Sequence, residues 1–281
     1  MNRIDEITKA VNQLPPLSHS AAELISRAND GDLSAEMISD IISKDPSITG
    51  QVMRIANSAA FHPASPIVSI QHAVSFLGNR AVMGIVIGHN LSHVYKTPLS
   101  GYCAPEGALW KYCLCTAIAA RYISKYAKKN VSPELAYTAG LLHAIGKSVL
   151  SDFLSKISST DNRYYREETT FIESELKSLG ISHPEVGVAI ARRWKLPDEI
   201  CEPIRWYLQP AMASERVRHI VYIVHLSSFT AMMCGYDTGI DGMNYKLDKQ
   251  YESFLNISEH ADLERIIINV QEEFKIMIQA T

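Results

Sequence analysis

Apolar residues recur every three to four positions along nearly the whole 281-residue chain, the spacing that lines one face of an α-helix. Runs that alternate apolar and polar residues with β-branched enrichment, the mark of strands, are scarce. The pattern predicts an all-α fold. Prolines and glycines cut it into pieces. Met37, Ile38, Ile41 and Ile42 form a stripe behind a cap at Asp32 or Ser34, and the helix stops before Asp45-Pro46 because a residue preceding proline avoids the helical region. A second helix carrying Ile48, Val52 and Ile55 then begins with Pro46 in its first turn.

Pro63 and Pro66 mark a loop, Ser69 is placed to cap a helix through Val74 to Leu77, and Gly78-Asn79 ends it, with Asn79 as cap for the apolar run from Ala81 to Val94. Residues 97 to 107, with Pro98, Gly101, Pro105 and Gly107, form the clearest linker. Beyond it the periodicity predicts helices from about Ala108 to Tyr126 and from Pro133 to Phe153, followed by a charged stretch through Glu175. Further helices start near Pro184 and Pro197, and a long one fills Glu215 to Cys234. After the glycines 235, 239 and 242 comes a last helix with Leu263, Ile266, Ile267, Val270, Phe274, Met277 and Ile278 as an apolar stripe in need of a partner. The expected organisation is two-lobed: an N-terminal helical lobe over 1–98, a second helical lobe over 99–236, and a loop with a C-terminal helix over 237–281.

Composition narrows the function classes. Twenty-seven Lys and Arg against thirty Asp and Glu give a net charge of −3, no electrostatic push toward nucleic acid. No uninterrupted apolar run of about 18 residues occurs and the first residues lack a signal-peptide pattern, so a cytoplasmic protein without a membrane role is expected. Five cysteines, Cys103, Cys113, Cys115, Cys201 and Cys234, contain no CxxC pair and are expected as reduced thiols. His89 and His93 share a helix face without a third ligand in register, and Cys113 and Cys115 point to different faces, which suits packing. The loop Asp237-Thr238-Gly239-Ile240-Asp241-Gly242 lacks the ligand rhythm of an EF-hand and reads as a turn-rich connection. Neither a P-loop nor a dinucleotide fingerprint is present.

Several segments carry a resemblance. Leu14-Pro15-Pro16-Leu17, Ile42 to Thr49, Arg54-Ile55-Ala56-Asn57-Ser58-Ala59, Pro66 to Ile70 and Ala73 to Gly78 stand in the order and spacing of the HDOD family, bacterial signalling proteins related to the HD phosphohydrolases. Leu109 to Tyr112, Ala139 to Lys147, His183 to Gly187 and Arg193 to Pro197 resemble the HD-like half. The resemblance implies one HDOD-type module with a degenerate HD lobe. In catalytic relatives an adjacent His-Asp pair and further ligands hold metal ions that activate water. Here the sequence reads His143-Ala144, and alanine has no donor atom. Tyr112 stands where a ligand histidine follows the helix-opening Trp110, Tyr207-Leu208 follow Ile204-Arg205-Trp206 where histidines are frequent, and Ser228 falls where a closing aspartate is expected. Two imidazoles, His143 and His183, survive. Catalytic zinc sites use about three protein ligands plus water, so two histidines without a carboxylate hold a divalent ion poorly.

The resemblance therefore implies a non-catalytic regulatory protein with no cofactor, working through signalling partners. Tyr112, His143, His183 and Tyr207, with Ala144 and Ser228, are expected to line a shallow concave pocket for a small anionic or nucleotide ligand. The plainer alternative for His143 is a core histidine above Ala139 and Gly140, and for His183 a helix-start residue packed beside Val186. Two other functional readings stand beside the first. One is a metal-dependent phosphohydrolase or phosphodiesterase with a rearranged site, using His143 and His183, with or without His225, and an acid such as Glu185. The other is a cyclic-dinucleotide receptor.

Overall fold

The computed structural model describes residues 2–30, 33–58, 60–158, 170–242, 244–257 and 260–280. Among them there is no strand, only two isolated bridges, Leu99 with Ala104 and Ala127 with Leu255; the fold is all-α. The expected N-terminal boundaries follow from capping. Ser34 accepts a hydrogen bond from Met37 N at 3.2 Å and opens α3 (Ala35–Ser43), after α1 (Arg3–Gln13) and α2 (His19–Asp30). Asp32, the other candidate cap, lies outside the described residues. Asp45 accepts from Ser47 N and Ile48 N to start α4 (Pro46–Ala56), and Ser69 accepts from His72 N to start α5 (Ile70–Leu77). Each cap satisfies an orphan N–H of the first turn. One expectation fails: Asn79 does not cap α6 (Asn79–Tyr95) but lies inside it, and its amide donates to Leu33 O at 2.7 Å. It ties α6 to the loop before α3.

Residues 97 to 107 do not run as a free linker. They fold back through a 3-10 turn, Ser100–Tyr102, in which Gly101 and Tyr102 are buried. Next comes α7 (Ala108–Ser124), apolar on nearly every face and sheathed by α8 (Pro133–Leu142), α13 (Arg218–Met233) and α15 (His260–Ala280). A helix with that pattern belongs at the centre of a core. The expected helix from Pro133 to Phe153 is broken: α8 ends at Leu142, a turn spans 143–145, and α9 (Gly146–Ser158) begins anew. The carbonyl that a continuing helix would offer Ala144 N–H, Gly140 O, instead takes the His143 ring at 2.7 Å. Most of the expected charged stretch lies outside the described residues, but its end forms α10 (Phe171–Leu179).

The remaining elements are α11 (His183–Arg193), α12 (Asp198–Trp206) and the short α14 (Tyr251–Phe254). The C-terminal stripe finds its partner in α7: Ile266, Val270, Phe274 and Met277 are buried, and Glu273 accepts from Arg121 and, at 3.1 Å, from Tyr122 OH. Helix α1 packs on α9 and α11 rather than on α3 to α5. Arg3 donates to Ser178 O, Arg193 to Asn12 O, and the Trp194 indole to Pro15 O. The cysteines are free thiols, with Cys113, Cys115 and Cys201 buried.

Candidate functional site

Seven segments converge on the position that the His143-Ala144 pair marks. Helix α7 supplies Tyr112 and α13 supplies His225 and Ser228. The α8–α9 turn supplies His143 and Ala144, and the first turn of α9 supplies Lys147. Glu175 comes from α10, His183 from the first turn of α11, and Tyr207 from the end of α12. All are buried. Tyr112, His143, His183 and Tyr207, expected to line a concave surface, are at most 1% exposed and so present no face to solvent.

His183 is fixed at both nitrogens. Its Nδ1 lies 2.8 and 2.9 Å from the two Glu175 carboxylate oxygens, and its Nε2 lies 2.7 Å from Tyr207 OH. Glu175 also accepts from His183 N at 2.8 Å and from Tyr102 OH at 2.6 Å. With Glu175 as acceptor, Nδ1 carries a proton, and Nε2 shares the second hydrogen bond with Tyr207 OH. His143 is held at one nitrogen only. Nδ1 donates to Gly140 O, and Nε2 is buried with no hydrogen-bond partner. Around that nitrogen stand aromatic rings: Tyr207, edge-on with centroids 4.7 Å apart, and Tyr112 at 5.0 Å. Burial pushes the His143 pKa down to about 3, with the Lys147 charge adding to the shift. The ring is neutral at any ordinary pH.

Tyr207 also lies 6.0 Å from the His183 ring, so its phenol packs against both imidazoles. Tyr112 OH is buried without a hydrogen-bond partner, and burial raises the Tyr112 and Tyr207 phenols well above their ordinary range. Ser228, at the expected closing-acid position, donates to His225 O at 2.8 Å. Ala144 contributes only a buried methyl.

The centre also contains a charge pair that spacing alone did not disclose. Lys147 Nζ donates to Thr238 Oγ1 at 2.6 Å and forms an ion pair with Asp241, both side chains wholly buried. Thr238 Oγ1 donates to Asp241 Oδ1 at 2.9 Å, and Tyr245 OH donates to Oδ2. Burial by itself would raise the Asp241 pKa, but the Lys147 ammonium and these donors hold it below the ordinary carboxylate value. The ammonium lies 5.2, 5.7 and 5.4 Å from the Tyr102, Tyr112 and Tyr245 rings, within cation–π range. The loop read as a mere connection thus delivers Asp241. It can do so because Gly239 has φ +98° and its missing Cβ would sit 2.1 Å from Tyr102 O, while Ile240 N donates to that same carbonyl. Glu175 was similarly unassigned; a local signal was present in the Thr170/Glu173 capping box and in Gly180, which closes α10 at φ +76°.

These residues do not fit a metal ion. Among the described residues no group of three or more His, Cys, Asp or Glu side chains is placed to hold one. The rearranged set does not assemble. Glu185 caps α11 through Ser182 N at 2.9 Å and Ser182 Oγ at 2.7 Å. His225 spends Nδ1 on Tyr207 O at 2.6 Å and accepts from Asp248 N at Nε2, 2.9 Å. On α6, His89 Nε2 lies 3.0 Å from Ser47 Oγ, and the His93 side chain lies outside the described residues.

Comparison with known proteins agrees with this architecture. A solved HDOD domain protein of unknown function from Geobacter sulfurreducens is 22% identical and superposes with a TM-score of 0.72, over 99% of this chain and 98% of its own. A chain from Marinobacter aquaeolei VT8, provisionally named a signal transduction protein, has the same identity of 22% and TM-score of 0.72, over 99% of this chain and 65% of its own. An uncharacterized protein of Treponema pallidum (strain Nichols) is 21% identical over 271 residues, which are 96% of this chain and 51% of the relative. The chain thus spans about half the length of that curated relative. At these identities the solved structures share a fold and say nothing further about chemistry. The HDOD domain profile matches residues 14–210, more than half of the sequence, and the chain belongs to the HDOD family.

Proposed function

We propose that this chain is a non-catalytic regulatory member of its family, in which the HD centre is retained as a solid, hydrogen-bonded core and the work is done by binding signalling partners. The observation that carries the reading is the buried Tyr207 ring, packed against both His143 and His183 with its hydroxyl on His183 Nε2. A hydrolytic metal requires open coordination positions and about three protein ligands. This centre offers one free imidazole nitrogen, closed in by phenols. Its Lys147 ammonium is already paired with Asp241. Family membership and the fold shared with a chain provisionally named for signal transduction support the regulatory role.

No single helix among the described residues is long and apolar enough to cross a membrane, which suits partners met in solution. The test is metal analysis of protein purified without chelators, alongside turnover of a generic phosphodiester such as bis(4-nitrophenyl) phosphate with added manganese or zinc. Substoichiometric metal and no turnover are expected. One equivalent of tightly held metal, with turnover lost in His143→Ala, would overturn the reading in favour of a hydrolase.

A further inference from the structure

A cavity lies away from the HD centre, at the seam where α4 and α6 meet α7. It has a volume of about 240 Å³. Its rim carries Arg54 from α4 and Lys96 just beyond α6, both exposed. Gln51 and His89 stand beside them, and the Trp110 indole, packed at 5.8 Å on Tyr95, forms a wall.

The charge balance there departs from that of the molecule. The chain as a whole is acidic, at −3, yet the cavity is lined by two cations and no carboxylate. Arg54 has one weak partner, the Gln51 amide at 3.3 Å, and neither it nor Lys96 forms an ion pair among the described residues. Two further cavities, of about 170 and 230 Å³, each include an acid, Glu185 and Asp152 respectively. Arg54 also opens the segment Arg54 to Ala59 that the sequence singled out. Within it Asn57 has a complete structural explanation, since its amide bonds Ile67 N at 2.8 Å and Ile67 O at 2.9 Å to pin the following loop. The exposed guanidinium has none except the cavity.

We propose that this seam cavity binds a small phosphorylated ligand bearing a flat ring, of the nucleoside monophosphate class, with Arg54 and Lys96 on the phosphate and the ring against the Trp110 wall. Guanidinium and ammonium groups are the side chains suited to phosphate oxygens, and a Trp edge beside them suits a planar ring. Size sets the upper limit. Pockets that enclose drug-sized ligands run from about 300 Å³ upward, so 240 Å³ encloses part of a monophosphate, leaves the rest over the rim, and excludes a cyclic dinucleotide held entirely inside. Elements of both parts of the chain line the cavity, so a bound ligand would bridge them.

The proposal goes beyond the regulatory reading and stands apart from it, because no group of the HD centre takes part. Calorimetry on the full chain with AMP, GMP, CMP and UMP, with the matching nucleosides, and with inorganic phosphate provides the test. At least one monophosphate is expected to bind, more tightly than both its nucleoside and inorganic phosphate, and less tightly as salt rises. Arg54→Ala and Lys96→Ala should each weaken it about tenfold, the loss expected for a hydrogen bond to a charged group. Lys177→Ala, on the exposed face of α10, should leave it unchanged. All three side chains are exposed, and circular dichroism checks that the variants remain folded. No heat with any monophosphate at millimolar concentration would overturn the proposal. So would binding indifferent to both cavity variants, or inorganic phosphate bound as tightly as the nucleotide. The metal and turnover measurements on the HD centre come out the same in every case.

Discussion

Lys147 is wholly buried, and such a charge is tolerable only if paired and hydrogen-bonded. Asp241 and Thr238 meet that requirement. Removing one partner of a buried pair strands the other, so Asp241→Asn is expected to destabilise the fold by about 3–5 kcal/mol in urea unfolding. Replacing both charges, as in Lys147→Met with Asp241→Leu, should recover part of that loss, because no charge is left stranded, while the Thr238 and Tyr245 hydroxyls lose their acceptor. His143 makes a different prediction. Its folded pKa is about 3 against an ordinary 6.5, so the unfolded chain binds a proton that the folded chain refuses. Stability contributed by the neutral ring is present above pH 6.5 and is lost as pH falls toward 3, at up to about 1.4 kcal/mol per pH unit. In His143→Leu the fall in unfolding free energy between pH about 6.5 and about 4 should be shallower than in the parent. Equal slopes would show that the ring is not held neutral.

At the scale of elements, the break between α8 and α9 positions the site. A continuous helix would send Lys147 along the α8 axis; the turn at 143–145 lets α9 start afresh against α11. The approach is close enough that a Cβ on Gly146 would lie 1.9 Å from His183 O and 2.6 Å from Gly187 N. Both neighbours are backbone atoms that cannot swing aside. Gly146→Ala is therefore expected to cost about 3 kcal/mol, at the upper end of ordinary overpacking, and to displace His183 from Glu175. Thermal unfolding measures the first effect and the imidazole NMR shifts the second. The sequence predicted an uninterrupted helix here because the apolar period runs through 143–145 without proline. The interruption depends on a ring-to-carbonyl bond and a helix–helix approach, neither of which leaves a periodic signal. Where a boundary is set by a local cap, as at Ser34, Asp45 and Ser69, residue order was enough.

At the scale of the molecule, α15 covers α7. Four of its side chains, Ile266, Val270, Phe274 and Met277, are buried, each worth about 1.5–3 kcal/mol when taken out of water. Their sum, roughly 6–12 kcal/mol, is comparable with the whole net stability of a domain. Truncation before His260 should therefore abolish cooperative thermal unfolding, and a truncated chain that melts like its parent would refute the assignment of α15 to the core.

What the order of residues determined by itself is the all-helical class, most helix starts, the apolar stripe of α15 and the presence at 112, 144, 207 and 228 of Tyr, Ala, Tyr and Ser in place of His or Asp. These are local properties: periodicity, capping chemistry and the presence or absence of a donor atom can be read one segment at a time. Tertiary structure alone decided that the residues of the HD centre are buried, that Glu175 and Asp241 are the acids beside them, and that a basic cavity lies at the seam. The physical reason is that burial and charge pairing depend on distance in space, and Lys147 lies ninety-four residues from the carboxylate that neutralises it.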